Sequence, residues 1–306
     1  MKRICLFAAY NKNGEVADYA LYYVQALARL ADVYYLADCP MKPEELAKLA
    51  PYTKGAWGYR HQKYDFGSWQ ELAGKIGWDK LAEYDECIFC NDSCYGPLFP
   101  LQPVFDAAAA DPETQAWALQ HFGSYFWVLK RPVFTSNPFR RFLSGVKKLP
   151  SGEDVIHKYE DKLPALLREN GFKHKVLLHI PQDLNNCWKT YIRRRFPVLK
   201  IKVFTMPEKY REREYLPGWQ RFLRQHTDYD PALIERHLRS VGVDPAYFDS
   251  FGFRLKSVWW AFNRARKKCF RVHFCKHTQL IILFGVTLLN RPRQTAVAEL
   301  DVPAVR

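Results

Sequence analysis

Short apolar runs alternate with amphipathic stretches through the first part of the chain. Lys2–Ala8 is apolar after its two basic residues and predicts a first strand. Over Val16–Leu30, Ala17, Ala20, Leu21, Val24, Leu27 and Ala28 recur at helical spacing. Asp32–Leu36 predicts a second strand and Glu44–Leu49 a short helix. Ser68, with Glu71 three residues on, reads as a capping box opening a helix over Trp69–Ile76. Glu86–Cys90 is a buried strand, and Phe122–Leu129 is aromatic and β-prone. Strands alternating with helices at these intervals predict an α/β fold with a mostly parallel sheet.

Beyond it, Phe139–Val146 and Glu153–Asn170 read as helices, the second ended by Gly171. Val176–Ile180 and Leu199–Phe204 read as strands, and Trp188–Arg195, Glu212–Gln225 and Pro231–Val241 as helices. After Phe251 the pattern changes. Leu255, Val258, Trp259 and Phe262 form an apolar stripe at helical spacing among Arg254, Lys256, Arg266, Lys267 and Lys268, with Trp260 beside it. Thr278–Leu289 is apolar but too short for the ~20 residues of a membrane-spanning helix, so it is a core helix, a strand or part of an interfacial anchor. No linker or repeat interrupts the chain. The expected organisation is a core over 1–205, a helical extension over 206–251 and a basic amphipathic segment over 252–306.

Composition sharpens this picture. With 306 residues, 48% hydrophobic and 16% aromatic, the chain has the material for a substantial core. Lys2 and Arg3 precede only a strand-length apolar run, unlike a secretory leader. The eight irregularly spaced cysteines then suit free thiols in a cytosolic protein. Cys87 and Cys90 would point to opposite faces of a strand, and no Cys or His pair with zinc spacing joins them and Cys94. His273 and His277, four apart, likewise have no partner ligands. The net charge of +14 is uneven: between Asp249 and Glu299 there is no acid, but there are ten Lys and Arg residues. Charge so concentrated implies an anionic partner. No nucleic-acid module is visible, whereas basic residues interleaved with Trp259, Trp260 and Phe262 suit an anionic membrane surface.

The densest chemistry lies in Asn91-Asp92-Ser93-Cys94-Tyr95-Gly96-Pro97, where a buried strand runs into a polar turn. Ligands of open α/β sheets gather beyond the carboxyl ends of strands, so a carboxylate there can hold a ribose, a pyrophosphate or a metal. The segment also resembles the signature of the rhamnan synthesis F family of bacterial polysaccharide glycosyltransferases. Tyr64-Asp65-Phe66-Gly67-Ser68-Trp69, His121 to Phe126, Tyr159-Glu160 and Asp228 to Leu238 with its His237-Leu238 pair resemble further family elements in the same order.

The resemblance implies a GT-A-like fold, a nucleotide-sugar donor such as dTDP-L-rhamnose and a lipid-linked glycan acceptor. It also implies a cytoplasmic place at the inner face of the bacterial membrane. Its donor site would comprise Tyr10, Arg60, Asp65, Gly67, Asn91, Asp92 and Ser93, with the helix N-terminus near Ser68 facing a phosphate. Only Asp92 supplies a carboxylate where many such enzymes carry Asp-x-Asp. Mg²⁺ or Mn²⁺ is therefore compatible but not required, and Arg60, His61 or Lys63 could stand in for it. Glu160 is the candidate base, His121 would orient the diphosphate or acceptor, and Trp117, Ser124 and Tyr125 would line the acceptor side. Gln115-Ala116-Trp117-Ala118 departs from the family's Asp-Phe-Trp-Gly, which removes one carboxylate. Transfer of another sugar, such as galactofuranose, and a non-catalytic role in a polysaccharide assembly complex are the alternative readings.

Overall fold

The computed structural model describes residues 1–120, 125–178, 187–207, 216–274, 278–283 and 286–292. It divides into two units, Met1–Tyr210 with Gly218–Tyr247, and Arg211–Pro217 with Phe248–Arg306. The expected helical extension is therefore not separate. Its helices Trp219–His226 and Pro231–Ser240 belong to the first unit. There Tyr229 meets Tyr22 edge-on, Arg236 pairs with Asp18, and His237 packs against Tyr19 and Tyr95.

The first unit is built on β1 (Arg3–Ala9), β2 (Asp32–Ala37), β3 (Gly55–Gly58), β4 (Glu86–Asn91), β5 (Cys94–Tyr95), β6 (Ala116–Ala118), β7 (Phe126–Lys130), β8 (His174–Val176) and β9 (Leu199–Lys200). Seven of these form one sheet in the order β3-β2-β1-β4-β7-β6-β8, in which only β7 runs against the others. This is the α/β, mostly parallel architecture the sequence predicts. Ile4, Leu6 and Ala8 of β1 join one apolar cluster, while Cys5, Phe7 and Ala9 join another on the opposite face. Burial on both faces explains why central strands read as unbroken apolar runs. The sheet order turns at β1 and β4, so their carboxyl ends border a crevice.

Several elements differ from the pattern-based expectation. Gly55–Gly58 is a further parallel strand, at the sheet edge, too short and glycine-rich to signal itself. The helix expected from Trp69 begins at Tyr64, with Lys63 as its N-cap, so Ser68 is inside it and caps nothing. Ser68 instead bonds the His61 ring, and Glu71 pairs with Lys63 and accepts from Tyr59. The expected strand Leu199–Phe204 keeps two residues and turns into a helix at Lys202–Thr205. The continuous helix expected over Glu153–Asn170 is broken by a wide turn at Ile156–Glu160, closed by Asp161 N–H donating to the Ile156 carbonyl at 2.8 Å. Val155, Tyr159, Leu163 and Leu167 are all buried along it.

In the second unit, Phe251–Cys269 is a helix followed by β10 (Phe270–Phe274), β11 (Thr278–Leu283) and β12 (Val286–Pro292), which form an antiparallel sheet. Of the ambiguous Thr278–Leu289 run, the described residues are thus strand. Among the described residues, no helix is long and apolar enough to cross a membrane. The described cysteines Cys5, Cys39, Cys87, Cys90, Cys94 and Cys187 are free and buried.

Candidate active site

The carboxyl ends of β1 and β4 open onto a cavity of about 1060 Å³. Tyr10, Arg60, Asp65, Asn91, Asp92 and Ser93 all line it, and so does Glu160 from the wide turn. Sequence reasoning therefore gathered residues far apart in the chain onto one surface. The cavity lies within the first unit.

Asp92 ties the two strand ends together. Its Oδ2 accepts the Tyr10 N–H at 2.9 Å, and its own N–H donates to the Ala8 carbonyl at 3.1 Å. Tyr19 Oη donates to the Asp92 carbonyl at 3.1 Å, and buried Tyr95 and half-buried His237 pack around that tyrosine. Tyr95 Oη and His237 Nδ1 are 2.7 Å apart, and burial lowers the His237 pKa to about 4. The ring is therefore neutral at physiological pH. Beside Asp92, the Asn91 side chain donates to Asp65 Oδ2 at 2.9 Å and accepts from Ser93 Oγ at 2.6 Å.

Lys200 completes this corner, and sequence reasoning missed it. β9 pairs antiparallel with β5, placing Lys200 opposite Cys94. Its Nζ donates to Ser93 Oγ at 2.9 Å and lies 4.0 Å from the centre of the Tyr125 ring. Nothing local to Leu199-Lys200 signals this, because a strand pairing across the chain supplies it. Asp38 was also missed. Its Oδ1 accepts the N–H groups of His61 and Gln62 at 2.7 and 2.8 Å, fixing the loop that carries Arg60 to the cavity. Gln62 and Tyr64, both on the wall, adopt positive φ of 61° and 56°, which non-glycine residues seldom do. Such backbone persists where surrounding structure holds it, and it clusters at ligand sites.

Other expected site residues lie elsewhere. Gly67 is buried inside a helix and does not line the cavity. An added Cβ there would sit 2.1 Å from Lys63 Cβ, so the glycine serves local packing rather than donor approach. Lys63 is engaged by Glu71, and burial lowers the His61 pKa while its ring bonds Ser68, so of the three candidate cations only Arg60 lines the cavity. Trp117 is packed in the core between Phe105 and Phe126. Tyr125 is buried behind the site, where its hydroxyl donates to Gln120 Oε1 at 2.9 Å. Neither lines the cavity as an acceptor-side residue would. His121 and Ser124 lie outside the described residues.

The cavity carries five cations, Arg60, Lys148, Arg168, Lys200 and Lys202, against five acids, Asp38, Asp65, Asp92, Glu160 and Asp161. Burial raises the Asp92 pKa to about 7, Asp65 adds to the rise, and Lys200 and the Tyr10 N–H oppose it. Near neutrality Asp92 therefore holds a proton part of the time, which leaves a cationic surplus.

The raised pKa also has a stability consequence. Between an unfolded value of about 3.9 and the folded value of about 7, the folded protein binds a proton that the unfolded chain releases. This stabilisation is complete below pH ~4 and is lost as pH rises through ~7, with a slope of at most ~1.4 kcal/mol per pH unit. Thermal unfolding of the ligand-free protein across that window should show the decline, and Asp92→Asn should flatten it. An unchanged profile in the variant would place the titration elsewhere.

A family model described as Rhamnan synthesis protein F matches residues 33–249, which holds Asp65, Asp92, Glu160, Lys200 and His237. The chain belongs to the rhamnan synthesis protein F family. Among curated proteins, none matches it. Among solved structures, this family member is similar to a provisional nucleotide-diphospho-sugar transferase from Desulfovibrio desulfuricans G20. The match has 18% identity and a TM-score of 0.36 over 74% of this chain and 99% of that one. It is also similar to a glycosyltransferase involved in glycosylation of the major capsid of PBCV-1. That match has 12% identity and a TM-score of 0.33 over 64% of this chain and 91% of that one.

Proposed function

We propose that this chain is a GT-A-like, inverting glycosyltransferase of polysaccharide synthesis. Its cavity would move a rhamnosyl group from dTDP-L-rhamnose to a lipid-linked glycan at the inner face of the bacterial membrane. The observation that carries this reading is a single cavity joining Asp92 and Lys200 at the sheet's switch point with Glu160 of the wide turn. Tyr10 is 53% exposed, and the Arg60 guanidinium lies 5.7 Å from its ring centre; together they offer a flat cationic surface to a nucleobase or ribose. Lys200, Lys202 and Arg168 offer charge to a diphosphate.

In the proposed reaction, Glu160 takes the proton of an acceptor hydroxyl as its oxygen attacks the anomeric carbon. The bond from that carbon to the diphosphate oxygen breaks, and its electron pair leaves with the diphosphate. Fixed cations stabilise the charge that develops there. If a divalent cation is used, Asp92 would hold it together with substrate phosphates and water, since Mg²⁺ takes one or two carboxylates. Bound there, the ion would neutralise diphosphate charge. Among the described residues, no group of three or more ligating side chains forms a dedicated metal cage.

The sequence departure at Gln115 lies outside the lining of the cavity. Gln115 opens β6 away from the cavity, its Oε1 accepting the Lys173 N–H at 3.1 Å. The five acids of the cavity do not depend on it.

A thermal-shift screen of nucleoside diphosphates and nucleotide sugars tests the reading, because a ligand bound only by the folded state raises the unfolding temperature. We expect dTDP to stabilise more than UDP or GDP, and Lys200→Ala to weaken dTDP binding by roughly tenfold or more, the scale of one lost charged hydrogen bond. Stabilisation by another nucleotide would redirect the donor assignment. Stabilisation by none would overturn the reading.

A further inference from the structure

The Phe251–Cys269 helix of the second unit turns two apolar faces outward from its axis, and only one of them is buried. Phe253 and Ser257 are buried and Trp260 is half-buried. Phe253 meets Phe248 edge-on at 5.3 Å and Trp260 at 5.8 Å. This places Trp260 on the inner face, not among the outward aromatics expected from sequence. Phe251, Leu255, Val258, Trp259 and Phe262 recur at helical spacing on the opposite face. They are exposed by 78, 54, 59, 60 and 65%. An ordinary surface helix is polar on that face, and a contiguous apolar patch there marks an interaction surface.

We propose that this stripe docks on an anionic lipid surface. The occupant is chosen by charge. From residue 250 to 298 the chain has no acid, and exposed Lys256 and Arg266 lie on the same helix. Arg254, on the same helix, is paired with Asp249 at 3.1 Å. The side chains of Lys267 and Lys268 lie outside the described ones. Apolar side chains enter the headgroup boundary while flanking Lys and Arg meet anionic lipid, the usual arrangement of an interfacial helix. The inference does not depend on the sugar donor.

Co-sedimentation of the full chain with phosphatidylcholine vesicles, with and without phosphatidylglycerol, at low and high salt, tests it. Binding should require the anionic lipid and weaken with salt. Lys256→Glu with Arg266→Glu should reduce the partition coefficient by roughly ten- to a hundredfold on anionic vesicles. Trp259→Glu with Phe262→Glu should reduce it at both salt concentrations. These positions are exposed, so a preserved thermal transition and an unchanged dTDP response would show the fold and cleft intact. Equal binding to neutral vesicles, no binding to either, or variants that bind like the parent would overturn the proposal. So would self-association, seen by light scattering and lost in the Trp259/Phe262 variant, without vesicle binding.

Discussion

Asp92→Asn will reduce glycosyl transfer by roughly 10²–10³-fold, the scale of removing one oriented electrostatic group from a transition state. The substitution isolates charge from shape. Asn retains an oxygen to accept the Tyr10 N–H that Asp92 Oδ2 now accepts at 2.9 Å, so β1 and β4 remain joined. Alanine would abolish transfer too, but it would leave that N–H unpaired, at a cost of ~1–3 kcal/mol if no water replaced the bond. Steady-state rates and the melting profile together check this outcome. A variant with normal turnover and a normal fold would remove Asp92 from the donor site.

Glu160→Gln will lower turnover by roughly 10²–10⁴-fold while dTDP binding stays near the parent value, because a general base acts on the acceptor proton rather than on the donor. Its setting supports this separation. Tyr159 is buried beside it, tilted against Phe66 with ring centres 5.6 Å apart, and accepts the Lys147 N–H at 2.9 Å. The neighbouring Glu160 reaches the cavity. A wide helical turn of this kind is rare and is frequent at functional sites. Unchanged turnover, or loss of dTDP binding in step with activity, would assign Glu160 a role other than base.

Residues local in sequence account for much of the site. Asn91-Asp92-Ser93 follows an apolar run, and a polar turn after a buried parallel strand sits where ligands gather. Asp65 was reached through the family resemblance of Tyr64–Trp69, and the start of its helix was not legible. Ser68 and Glu71 match a capping box in spacing, yet tertiary partners His61 and Lys63 claim both side chains. The family resemblance set Trp117 and Tyr125 on the acceptor side, and aromatic residues suit both sugar faces and cores. Burial alone separates the two uses, and it is set by neighbours distant in sequence.

The sequence by itself determined the strand–helix alternation and the placing of Asp92 at a strand end, because periodicity and turn chemistry are local properties, and its ordered motifs carried the family. It also determined that the C-terminal charge is unbalanced. Only the tertiary structure decided that Lys200 stands beside Ser93, since an antiparallel pairing between β5 and β9 delivers it. The fold also decided that Gly218–Tyr247 belongs with the sheet, through contacts such as Arg236 with Asp18 and His237 with Tyr95. On the Phe251–Cys269 helix, periodicity gave the apolar stripe, but only packing decided which face is buried. Phe253 and Ser257 fill the interior, leaving Trp259 and Phe262 exposed.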